Sequence, residues 1–79
     1  MVEFSQLEVG TKLKAAANLI EAACGEHPAL EYAAYGDILV VRKLPEKPPV
    51  NAMKYVISVS HEDVLDRSFL VGLADVELA

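Results

Sequence analysis

Three short apolar blocks set the pattern of the second half of the chain: Ile38-Leu39-Val40-Val41, Tyr55-Val56-Ile57-Ser58-Val59 and Phe69-Leu70-Val71. Each is rich in β-branched or aromatic residues and is bounded by turn formers. That pattern predicts consecutive antiparallel strands in a meander. Gly36-Asp37 introduces the first strand, over 38–44. The segment 45–49 holds Pro45, Pro48 and Pro49, which offer no N–H to a ladder, so a stiff extended loop is expected there. In a strand over 54–60, Tyr55, Ile57 and Val59 share the core face, and Lys54, Ser58 and Ser60 the other. An acid-rich polar turn over 61–67 follows. Phe69 and Val71 then point inward, and 73–78 closes the chain.

The first half is less regular. Val2 and Phe4 alternate with polar residues, which suits a short strand or arm, and Gly10-Thr11 is a break. The stretch 12–24 supports two readings. As a helix it has Thr11 as N-cap, an Ala-rich body and Gly25 at C′, with Leu13, Ala16, Ala17, Ile20 and Cys24 on one face. As a strand it turns Leu13, Ala15, Ala17 and Leu19 inward, and Lys12, Lys14 and Asn18 outward. Alanine is depleted in strands, which favours the helix. Gly25-Glu26-His27-Pro28 reads as a turn. Residues 29–35 form one or two helical turns or an irregular approach to Gly36.

Seventy-nine residues make one small domain, 1–79. A chain of this size buries roughly 60–65% of its unfolded surface, so a second copy would help by burying more. The hydrophobic fraction of 53% suffices for a core, and with three Tyr, two Phe and no Trp that core is aliphatic. The bulky apolar runs are far shorter than the roughly 20 residues of a membrane span. Met1-Val2-Glu3-Phe4 lacks the features of a secretory signal, and one cysteine forms no internal disulfide. A cytoplasmic location, in a bacterium or an infected host cell, is expected.

The net charge of −5 disfavours general binding to nucleic acid, itself a polyanion. The charge is segregated, however. Residues 1–37 carry −4, residues 38–60 carry +3 through Arg42, Lys43, Lys47 and Lys54, and residues 61–79 carry −4. Such polarity suits oriented contact with another protein.

Candidate chemistry is thin. Cys24 and His27 are close enough in sequence for a nucleophile and base, or for half a metal site. With no further cysteine, a buried apolar thiol and a surface histidine explain them better. Glu62, Asp63 and Asp66 offer oxygen ligands to a hard cation, but without the glycine and spacing of a calcium loop they read as a solubilising turn. Pro45-Glu46-Lys47-Pro48 matches a P-x-x-P ligand, yet a rigid loop accounts for it. The glycines fit no phosphate-binding loop, and two histidines with no nucleophile elbow give no Ser–His–acid order. No enzyme activity, cofactor or metal is expected. Tyr32 and Tyr35 are the better surface aromatics for a shallow binding face, since Tyr55 belongs to the core face.

The order of signals resembles the small SH3-like barrel proteins of phages and mobile elements. Val9-Gly10-Thr11-Lys12-Leu13 matches their opening strand, and 18–35 their long irregular loop. Gly36-Asp37-Ile38-Leu39-Val40 matches the next strand. Tyr55–Val59, His61–Asp66 and Phe69–Val71 match the strand, acidic turn and strand that follow, and Asp75-Val76-Glu77-Leu78 the closure. The resemblance implies a mainly β fold, a barrel of about five antiparallel strands whose long first loop has room for a helix. The alternative is an α+β fold with a helix over 12–24 packed on a three-stranded antiparallel meander.

The resemblance, the small size and the charge polarity imply a non-catalytic protein-interaction module, such as a phage or mobile-element accessory protein that binds a host protein. Its contacts are expected from the loops 18–35 and 45–50, with Tyr32, Tyr35, Arg42, Lys43, Lys47 and Lys54 as the partner-binding candidates. A homodimer is compatible with this reading. The alternatives are a nucleic-acid-binding barrel using the same four cations, or an acidic mimic of DNA.

Overall fold

A computed structural model describes residues 2–21, 25–26, 30–51 and 53–79, and all of their side chains but that of Glu21. Within them the chain is mainly β, as the apolar pattern predicts. The strands are β1 (Lys12–Ala15), β2 (Leu19–Glu21), β3 (Leu30–Ala33), β4 (Ile38–Lys43), β5 (Ile57–His61), β6 (Val64–Val71) and β7 (Val76–Leu78). Five of them form one antiparallel sheet in the order β6-β5-β4-β1-β7, while β2 and β3 pair separately as a hairpin. Short 3-10 turns cover Phe4–Gln6 and Leu73–Asp75. Among the described residues there is no α-helix, which removes the α+β alternative, and no helix is long and apolar enough to cross a membrane.

The connection from β6 to β7 dictates the shape of the sheet. These strands are its two edges, yet β6 ends at Val71 and β7 begins at Val76. In a flat sheet four strand intervals would hold them about 19 Å apart. With Leu73–Asp75 wound as 3-10 turn at about 2 Å per residue, the link spans only about 13 Å. The sheet must therefore curl until its edges approach, enclosing its concave face as an open barrel.

That face is the core. Leu13 and Ala15 of β1, Leu39 and Val41 of β4, Ile57 and Val59 of β5, Val71 of β6 and Val76 of β7 are all buried. They stand in cross-strand ranks: Leu13 opposite Leu39, Val41 opposite Val59, Val59 opposite Phe69 and Ile57 opposite Val71. Each strand thus supplies alternate residues to one interior. Val2, Ala33 and Leu73 complete the buried cluster, with Phe4, Leu7, Leu19, Leu44, Val56 and Phe69 packed against it. The Val2 N–H ties the amino-terminal segment to the carbonyl of Leu73 at 3.2 Å.

Several local expectations change. The start of the 12–24 stretch is a strand, not a helix. Alanine's helical advantage is a few tenths of a kcal/mol per residue, whereas burying Leu13 stabilises by about 1.5–3 kcal/mol. The ladders to β4 and β7 then satisfy the backbone of β1 on both sides. The Ala16 N–H still meets the carbonyl of Asp75 (2.8 Å), one step past the last pair with β7, and Ala17 beyond it is exposed rather than inward. Val2 and Phe4 do not form a strand. The Glu3 N–H donates to Gln6 Oε1 and the Gln6 N–H to the carbonyl of Glu3, both at 3.0 Å, which closes a turn. The long first loop is no irregular excursion, since it holds the β2–β3 hairpin, and 30–33 is extended rather than helical.

β5 begins two residues after Tyr55. The chain first turns, with the Met53 N–H on Asn51 Oδ1 at 2.7 Å and the Val56 N–H on the carbonyl of Lys54 at 3.1 Å. Tyr55 consequently leaves the core and is 60% exposed. At the other end, the turn expected over 61–67 shrinks to Glu62-Asp63, and β6 already starts at Val64. Ser60 stands opposite Ser68 and His61 opposite Val64, so Leu65, Asp66 and Arg67 bulge with no residue facing them on β5.

Gly36 occupies the third position of the turn that leads into β4, with the Asp37 N–H bonded to the carbonyl of Ala34 at 3.0 Å. Its φ of +88° is the value a type II turn needs there and one that side chains resist. A Cβ at Gly36 would meet no atom within 4 Å, so the cost of substitution is backbone strain alone. Gly36→Ala is expected to destabilise by about 1–2 kcal/mol in urea titration. Leu39→Ala, in the sealed core, should cost about 2–5 kcal/mol. Leu70→Ala, at an exposed position of β6, should stay within about 0.5 kcal/mol of the parent.

Candidate functional site

The β2–β3 hairpin lies against β6 and leaves a groove between them. Two cavities make up the groove. One, of about 440 Å³, is lined by Leu19, Tyr32, Tyr55, Ser68, Phe69, Leu70, Val71 and Asp75. The other, of about 680 Å³, runs toward the β5–β6 turn past Leu30, Glu31, His61, Val64, Asp66 and Arg67. Tyr32, Ser68 and Phe69 border both. The rings of Tyr32 and Phe69 are stacked, with centroids 5.3 Å apart and planes inclined by 19°, so they form the saddle between the two lobes.

The hairpin is fastened to the sheet from several directions. His61 Nε2 approaches the carbonyl of Tyr32 at 2.6 Å; a carbonyl can only accept, so this nitrogen carries the proton and donates. The His61 ring also tilts against Phe69 at 5.8 Å, and its Nδ1 lies 4.0 Å from Asp37 Oδ2. Asp37 Oδ2 in turn accepts the Ala34 N–H at 2.9 Å. The Tyr35 N–H donates to Asn18 Oδ1 at 2.8 Å, which closes the hairpin's own base, and the Gly36 N–H donates to the carbonyl of Ala15 at 2.8 Å, which ties that base to β1. Because β2 and β3 pair only with each other among the described residues, these contacts position the groove wall.

Of the expected partner-binding residues, Tyr32 lies at the centre of the groove. Tyr35 is 68% exposed on the Gly36 turn and lines neither lobe. Arg42 and Lys43, at the exposed end of β4, and Lys47, on the proline-bearing loop, also stand outside it. Lys54 precedes Tyr55 at the groove's end without lining it. The basic cluster and the aromatic groove are therefore separate features. The residues missed by sequence reasoning are Tyr55, Leu70, Phe69 and His61. Leu70 alternates with two inward residues, a signal of outward exposure, whereas Tyr55 carried the opposite signal until its strand proved shorter.

A third hollow gathers Asp37, Glu62 and Asp63 beside His61. Among the described residues no three His, Cys, Asp or Glu side chains are grouped to hold a metal ion. The Cys24–His27 pair lies outside the described residues. Lys12 Nζ meets Glu62 Oε1 at 2.7 Å, but both side chains are well exposed, so the pair contributes little.

Removing the imidazole in His61→Ala deletes the bond to Tyr32. A net 0.5–1.5 kcal/mol per hydrogen bond corresponds to about 2- to 10-fold faster amide exchange. That acceleration is expected in β3, with the amides shared by β4 and β5 unchanged.

Comparison of the chain with family models, with curated proteins and with solved structures finds no match.

Proposed function

We propose that this protein is a non-catalytic interaction module that holds a protein partner in the groove between the β2–β3 hairpin and β6. The observation that carries this reading is a row of exposed apolar side chains gathered along one groove around an aromatic stack. Tyr55, Leu70, Leu30 and Val64 are all exposed and all line it, around the half-buried Tyr32–Phe69 stack. Contiguous apolar surface rimmed by polar groups marks an interaction site, and large aromatic side chains dominate binding energy at such sites. The resemblance to small barrel proteins of phages and mobile elements supports an accessory role toward a host protein.

The four cations at the end of β4 and in its connection to β5 are the ground for a nucleic-acid reading, but the groove is bordered by Glu31, Asp66 and Asp75, which repel phosphate. The protein-binding reading therefore has the support of the groove, and the basic cluster is free to steer a partner's approach.

Capture from a bacterial lysate tests this. The immobilised parent chain and Lys47→Glu should retain the same partner, and Leu70→Glu should lose at least 10-fold of it while melting normally. Equal capture by all three, or none above background, would overturn the proposal.

A further inference from the structure

We infer that the groove takes its partner as an added β-strand, an extended segment with alternating apolar and basic residues that pairs with the free edge of β6 at Ser68–Val71. This rests on the groove being the partner site and specifies how it binds.

The first argument is geometric. Successive residues of a strand point to opposite faces of the sheet. One lobe of the groove is nevertheless lined by four consecutive residues of the regular part of β6, Ser68 through Val71. A hollow that meets every residue of a strand, and not every second one, lies along the strand's edge, where its N–H and C=O groups point. β6 is an edge strand whose one neighbour in the sheet is β5. Among the described residues, no backbone hydrogen bond outside the β5 ladder engages 64–71. The bulge at 65–67 interrupts the regular strand, so the regular edge is Ser68–Val71. Such an edge is a template for an incoming chain, and the main-chain bonds it offers supply affinity while side-chain pockets supply selectivity. A polyproline segment, with no ladder geometry, would leave that edge unmet.

The second argument is charge. The groove is bordered by Glu31, Asp66 and Asp75 against Arg67 alone, with His61 at the far lobe. Asp75 Oδ2 already accepts the Gly72 N–H at 3.0 Å and keeps capacity for a further donor. A strand alternating apolar and basic residues would set its apolar side chains against Leu19, Tyr32 and Tyr55, and its cations toward these carboxylates. Acidic segments are repelled, and a second copy of this chain, at −5 overall, is disfavoured by the same field.

Three synthetic nonapeptides test the inference against the isotope-labelled full chain by NMR at low salt: alternating Val and Lys, the same peptide N-methylated at every second residue, and alternating Val and Glu. The Val-Lys peptide should move the amides of 66–71 and give cross-strand contacts to Ser68–Val71. The N-methylated and Val-Glu peptides should bind at least 10-fold more weakly. Equal binding by the N-methylated peptide would overturn strand pairing, and equal binding by the Val-Glu peptide would overturn the charge assignment. Absence of Val-Lys binding, binding that maps elsewhere, or self-association abolished by Leu70→Glu would overturn the inference as a whole. If lysate capture still depends on Leu70 in those cases, the groove remains the partner site and only the mode of binding falls; if it does not, the site itself falls.

Discussion

The structure depends on the short tether between the two edges of its sheet. Gly72 and the turn Leu73–Asp75 must carry the chain from one outer strand to the other, a distance that a flat five-stranded sheet would not permit. Curling satisfies the tether, and the curl gives a chain of 79 residues a closed interior without a second layer. Leu13, Leu39, Val41, Ile57 and Val59 become fully buried because the sheet packs on itself. The same corner places Asp75 where it bonds both the Ala16 N–H, through its carbonyl, and the Gly72 N–H, through its carboxylate, so tether and first strand are joined.

Closing the barrel in this way leaves the β2–β3 hairpin with no place in the sheet. It folds over β6 and is held there by one stacked ring pair and one imidazole, with the Gly36 N–H tying its base to β1. A hairpin attached through side chains, and not through a ladder, necessarily leaves space beside the strand it covers. The groove is thus a by-product of topology. Its apolar lining follows from the fact that β6 supplies Phe69 and Val71 to the interior while Leu70 faces outward between them. Charge is distributed to match, with carboxylates bordering the groove and the cations of the β4–β5 connection kept away from it.

Much of this was legible in particular residues. Alternation in Ile38–Lys43 and Ile57–His61, and the proline-bearing break between them, identified the central strands and their inward apolar residues, although Ser60, expected on the outer face, is fully buried. Gly36 announced the turn before β4, and Phe69-Leu70-Val71 the end of β6. The stretch from Lys12 was ambiguous because Ala-rich segments carry little preference of their own strong enough to resist pairing. Tyr55 leaves the core because period-2 spacing with Ile57 says nothing of where a strand begins, and the turn closed by the Met53 N–H on Asn51 Oδ1 and the Val56 N–H on the carbonyl of Lys54 delays that start to Ile57. Tyr32 was identified as an aromatic available for contact, but its partner Phe69 lies thirty-seven positions away, and no local pattern joins them.

The sequence by itself determined that this chain is mainly β, where its central strands run, that Leu39, Val41, Ile57 and Val59 are buried and that its charge is segregated, because those properties follow from neighbours two residues apart and from composition. Only the tertiary structure decided that Lys12–Ala15 is a strand, that the first loop holds a hairpin and that Leu30, Tyr55, Val64 and Leu70 meet in one groove beside an open strand edge. Those outcomes depend on contacts between residues distant in the chain, whose energies exceed the weak local preferences that sequence patterns report.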